Sequence, residues 1–201
     1  MKPKGKPGRK IAVGLGLLIL GLVWYVRGNP RIFNESFFGH AHCIKMAGSA
    51  LNAYTLANHD SFPAHTNGYG DALLLLAPDH LDWFEPLTGP CFSGDVFKKA
   101  KATGANIDED QCGRVYVQGL KLDSNPDIAL LFDKLPTPGD HCHFLSRLTR
   151  PFGREVWYVG GNMGFIRSKA WPAFAEKQIK LLVEAGIPEP AVKSYYENLP
   201  Q

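Results

Sequence analysis

EVWYVGGNMGFI, residues 155–166, decides how the second half of the chain folds. Glu155 to Val159 and Met163 to Ile166 are two short β-prone runs. Between them Gly160-Gly161-Asn162 supplies the residue types that tolerate positive φ, so the stretch predicts a tight antiparallel hairpin. The glycines open no helix, so a phosphate-cradling loop is not indicated. Working back, Ile128 to Phe132 is a short apolar run and Arg114 to Gly119 alternates, with Val115 and Val117 on one face. Both are expected as strands of the same small sheet. Working forward, Ser168 to Ala185 is expected as a helix with an apolar stripe of Trp171, Phe174, Ile179, Leu182 and Val183. Gly186-Ile187-Pro188 stops it, and a short helix is expected over Ala191 to Leu199.

The first half reads as helices. Phe37, Ala41, Ile44, Gly48, Leu51 and Thr55 recur at alternating spacings of four and three, one face of a helix that starts near Asn34 and ends near Asn58. Asp71 to Ala77 predicts a short buried helix stopped before Pro78, and Val96 to Ala102 a helical turn. Thr88-Gly89-Pro90 and Ser93-Gly94-Asp95 are turn signals.

Ahead of all this lies Ile11 to Val26, IAVGLGLLILGLVWYV, an uninterrupted apolar run of 16 residues. A spanning helix needs about 20, and Trp24, Tyr25 and the flanking Lys/Arg suit the membrane–water boundary on either side. Five positive charges precede the run, which places the N-terminus in the cytoplasm and the bulk of the chain outside. Nothing like a small-x-small cleavage site follows it, so an uncleaved anchor is expected over a cleaved signal peptide. Gly28-Asn29-Pro30 ends the segment.

Charge divides the same way. Residues 1–31 carry seven Lys/Arg and no acid, while the rest carries 15 Lys/Arg against 19 Asp/Glu, net −4. The overall +3 therefore belongs to the tail. A nucleic-acid-binding domain would hold its positive excess in the folded part, so no nucleic-acid partner is expected.

The four cysteines, Cys43, Cys91, Cys112 and Cys142, allow two disulfides in an exported domain. Cys91–Cys112 is favoured, closing a loop of 22 residues worth roughly 3 kcal/mol in the chain-entropy model. Cys43–Cys142 would be the second pair. His40 and His42 beside Cys43, with His141 and His143 beside Cys142, are the candidate soft ligands for zinc or copper. On a helix His40 and His42 point about 200° apart, and a disulfide would consume the thiolates. No metal or other cofactor is therefore assigned. Asp108-Glu109-Asp110 lacks the alternating order of a calcium loop and reads as a solvated acidic turn. No nucleophile elbow, Walker loop or dinucleotide fingerprint is present, and no catalytic residue is assigned.

The order of elements resembles the type IV pilin-like, or pseudopilin-like, proteins of bacteria such as planctomycetes and verrucomicrobia. Cys43, Ala50, Leu51, Tyr54, Asn58, Phe62 and Pro63 match the family's helix-and-turn order. Ile128 to Lys134, Gly139, His141 and the hairpin Val156 to Ile166 match its C-terminal order, with Gly160 where the family has Asp. The family's processed members carry a leader ending Gly-Phe-Thr-Leu-Ile-Glu, and this sequence has neither it nor a Glu near the start of the apolar run.

The resulting expectation is an α+β protein of the bacterial inner membrane. Residues 1–10 form a basic cytoplasmic tail, 11–27 a transmembrane helix in contact with lipid, and 28–33 a linker. Residues 34–201 form an exported domain in which an amphipathic helix packs on a small antiparallel sheet with C-terminal helices. The resemblance implies a non-catalytic subunit with protein partners in a secretion or cell-surface assembly. The alternative is a stand-alone exported domain binding a ligand or metal.

Overall fold

The computed structural model describes residues 43–89, 92–138, 152–196 and 199. The tail, the apolar run, the linker and the start of the first predicted helix lie outside the described residues. Among those described, no helix is long and apolar enough to cross a membrane.

Helix α1 spans Ile44–Ala57, and it begins there rather than near the expected Asn34 because the backbone of its N-cap Cys43 is extended, with ψ 119°. Ile44, Gly48, Leu51 and Thr55, the expected face, are all buried, joined by Ala47 and Ala50. Fully burying a side chain such as Ile44 or Leu51 contributes roughly 1.5–3 kcal/mol. Three shorter helices follow: α2 over Tyr69–Leu74, the single turn α3 over Glu85–Thr88, and α4 over Asp95–Thr103. Helix α2 ends before the predicted Ala77, because Leu75, Leu76 and Ala77 bond three residues back and tighten into turns. A 3-10 turn over Glu109–Gln111 leads into the sheet.

The strands are β1 (Arg114–Tyr116), β2 (Ala129–Asp133), β3 (Thr137–Pro138), β4 (Phe152–Tyr158) and β5 (Met163–Arg167). Every pairing is antiparallel. β1 pairs β2, β2 pairs β4, and β5 pairs β4 on its other edge. β3 pairs Thr137 with Gly153 and so continues along the β4 edge that β2 occupies. The hairpin forms as expected, with Gly161 at φ +77° in its turn. β4 starts at Phe152 rather than Glu155, and the two-residue β3 had no sequence signal.

After β5 the 3-10 turn Ser168–Ala170 enters α5 (Trp171–Glu184), and α6 spans Glu189–Tyr196. Register sorts the sheet into two faces. Tyr116, Leu131, Trp157 and Met163 lie in one row on one face. Val115, Phe132, Val156 and Gly164 lie in a row on the other. Helix α1 covers the first face, its Gly48 backbone lying against the Trp157 indole. Trp171 and Tyr196, from α5 and α6, cover the second, 5.5 and 5.0 Å from the Phe132 ring.

Covering both faces corrects the expected one-sided strand: Arg114, Val115 and Tyr116 are all buried. The α5 stripe is corrected too. Val183 is 43% exposed, while Gln178 turns inward. Its Oε1 accepts from Ala129 N at 2.8 Å and its Nε2 donates to Asp127 O at 3.0 Å. An amide that meets both needs of the β2 end replaces an apolar residue there.

Candidate functional site

Of the residues singled out as ligands or disulfide partners, only Cys43 and Cys112 are described. His40, His42, His141, His143, Cys91 and Cys142 lie outside the described residues. Cys43 is buried at the start of α1, where its carbonyl accepts from Met46 N at 3.1 Å. Cys112 stands as a buried thiol with its Sγ 3.9 Å from Asp108 O. Burial, and then Glu109 nearby, push that thiol up to about 12, against the pull of Lys134. A thiol held protonated this firmly is a poor nucleophile.

The acidic run is occupied with structure. Asp108 Oδ1 accepts from Asp110 N at 3.0 Å, which starts the 3-10 turn. Glu109 Oε1 accepts from Tyr69 N at 3.0 Å, serving the first turn of α2, and Tyr69 OH donates back to Glu109 O at 3.3 Å. Lys134 Nζ reaches Asp110 Oδ1 at 3.1 Å. Among the described residues no group of three His, Cys, Asp or Glu is arranged to hold a metal ion.

Two clusters escaped the sequence reading. The first is a set of charges inside the sheet. Arg114 and Asp133 face each other across β1 and β2, both fully buried, with Nε to Oδ1 at 3.3 Å. The Arg114 guanidinium also donates to Pro86 O in α3. Asp133 Oδ2 accepts from Glu155 N at 3.1 Å, tying in β4. Arg154 points to the opposite face, where its guanidinium carbon sits 4.3 Å over the Trp171 ring. Desolvation lowers the Arg154 pKa, with Asp133 opposing. Buried cations and carboxylates persist only when paired and hydrogen-bonded. Here they bind three strands and α3 to one register. Their shared bonds make the arrangement a clamp across the sheet. Arg114 opens β1 and Asp133 closes β2, positions where a charge ordinarily faces solvent, whereas Arg154 and Glu155 lie inside β4.

The second cluster is a cleft of about 380 Å³ between α2 and the C-terminal end of α4. Leu74 and Leu75 give it an apolar wall, and His65, Asp71, Lys101 and Asn106 supply its polar groups. Asp71 is 7% exposed, and its Oδ1 accepts from Ile107 N at 2.8 Å. His65 Nδ1 lies 3.8 Å from Asp71 Oδ2.

No protein-family model, curated protein or solved structure matches the chain.

Proposed function

We propose that the chain is a membrane-anchored, non-catalytic pseudopilin-like subunit of a bacterial secretion or cell-surface assembly. Residues 11–27 would hold it in the inner membrane, with the tail in the cytoplasm and the α+β domain outside. The observation carrying this reading is the seating of α1 on the antiparallel sheet through Gly48 and Trp157. It makes the helix that follows the N-terminal segment the spine of the domain rather than a tether. That spine keeps an outward face of Lys45, Ser49, Ala53 and Leu56, and Leu56 is 80% exposed. A stable subunit with such a face can dock on partners without further folding. The Arg114–Asp133 pair ties β1, β2, β4 and α3 together, which suits a rigid structural subunit.

A topology reporter fused after Gln201, together with fractionation of the native protein, tests this. The reporter should register outside the cytoplasm, and the intact chain should stay with the membrane after a high-salt wash. A cytosolic reporter, or a soluble form lacking residues 1–30, overturns it.

A further inference from the structure

Asp71 is a buried carboxylate with one satisfied oxygen and one orphan. Oδ1 holds Ile107 N, while Oδ2 is buried and receives no hydrogen bond. The ring atom facing Oδ2 is His65 Nδ1, at 3.8 Å. That nitrogen already accepts from Asn67 N at 3.3 Å, so in the neutral ring it carries no proton and the proton sits on Nε2. One nitrogen therefore stands between a backbone donor and an acceptor that lacks one.

We propose that His65 is a proton-operated latch, exchanging the Asn67 amide for the Asp71 carboxylate as its partner when it becomes charged. The proton comes from water and binds Nδ1. The new N–H donates to Asp71 Oδ2, and the Asn67 N–H, on an exposed residue, is released to solvent. No other bond changes. A charge-assisted bond of this kind settles near roughly 2.8 Å. Closing the present 3.8 Å gap draws the imidazole about an ångström toward α2 and so reshapes the cleft wall that His65 forms.

The loop is held at both ends. His65 N donates to Gln118 Oε1 at 2.7 Å, and Asn67 Nδ2 donates to Asn106 Oδ1 at 2.9 Å. Protonation therefore acts on a local hinge rather than on a loose segment. The charged groups around it are Asp71 on α2, Lys101 across the cleft and Glu109 of the 3-10 turn. Lys101 is engaged by Ala77 O, and Glu109 by Tyr69 N. Gln118, which faces the loop from beyond β1, is neutral. The carboxylate of Asp71 is thus the one positioned to receive the charge.

Residue-resolved hydrogen exchange on the full-length chain at pH 8 and pH 5 tests this. Corrected for intrinsic rates, protection of the Asn67 amide should fall roughly five-fold on acidification, the weight of one ordinary hydrogen bond. The Ile107 amide should stay protected. In Asp71→Asn the carboxamide keeps the acceptor for Ile107 and offers an N–H to Nδ1, so the Asn67 transition should move to more acid pH. In His65→Gln it should vanish. Equal Asn67 protection at both pH values, or an unmoved transition in Asp71→Asn, overturns the latch. If the Asp71 variant fails to fold, imidazole nitrogen shifts of the unaltered protein carry the test. At pH 8 the proton must be on Nε2, and finding it on Nδ1 overturns the proposal.

Discussion

Replacing Gly48 by alanine sets two effects of opposite sign against each other. Alanine is about 1 kcal/mol better than glycine in a helix interior, and Gly48 lies in the middle of α1. A Cβ at that position would stand 2.6 Å from Trp157 Cγ and nearer still to Cδ2 and Cε2. Ordinary carbon contacts lie at roughly 3.5–4.0 Å, so helix and indole must part by about an ångström or more. The indole cannot retreat cheaply, since Trp157 is 5% exposed and its strand is paired on both edges. Overpacking of this kind costs about 1–3 kcal/mol, so Gly48→Ala should destabilise by about 1 kcal/mol net. The sign should reverse in a Trp157→Val background, where the ring is gone and only the propensity gain is left. Urea unfolding of the four proteins of this cycle, followed by far-UV circular dichroism in the same detergent, gives the coupling directly. We expect about 2 kcal/mol. Equal effects of Gly48→Ala in both backgrounds would refute the seating of α1 on β4, and with it the observation on which the proposed function rests.

Asp133→Ala removes the carboxylate opposite Arg114 Nε and the acceptor of the Glu155 amide, and should cost about 3–5 kcal/mol by chemical denaturation. Adding Arg114→Met should recover much of that, and a double variant as unstable as the sum of the singles would refute the clamp. Gln178→Leu strands Ala129 N and Asp127 O and should cost about 1–3 kcal/mol, despite the more apolar side chain; a neutral or stabilising result would count against the inward amide. For pH, Cys112 is raised from 9.0 to about 12, first by burial. Its stabilising contribution is complete below about pH 9 and is lost as pH climbs toward 12. Tyr69, Tyr116 and Tyr196 are raised by the same first cause, so they add to the loss. The urea midpoint should drop between pH 8 and pH 10.5, and an unchanged midpoint would contradict these burials.

Periodicity served well wherever one face of an element meets the core and the other meets water. Helix α1 is of that kind, and Ile44, Gly48, Leu51 and Thr55 were legible at their spacing. The hairpin was legible because Gly160-Gly161-Asn162 is local turn chemistry and needs no distant partner. Strand β1 is different. With α1 on one side and the C-terminal helices on the other, alternation carries no information, and Arg114 is as buried as Val115. β3 is only Thr137 and Pro138, paired because β4 extends past the end of β2, so its existence is a property of β4.

The charges were illegible for a related reason. An arginine that opens a strand and an aspartate that closes one are ordinary solvent-facing residues when each is read alone. Arg114 and Asp133 become a buried pair only because antiparallel register sets them opposite each other, 19 positions apart, and α3 then closes over them with the Pro86 carbonyl. Glu155 reaches Asp133 through its backbone amide, a group every residue but proline has, so its residue type gave no hint of that link. Asp71 follows the same logic: at the head of α2 it reads as a helix-favouring acid, yet its oxygens answer to Ile107, 36 residues on, and to a histidine of the preceding loop. For Arg114, Asp133 and Glu155, and for Asp71 Oδ1, the partner is supplied by tertiary closure rather than by neighbours in sequence. The buried polar groups of this fold are therefore ones that a linear reading assigns to its surface.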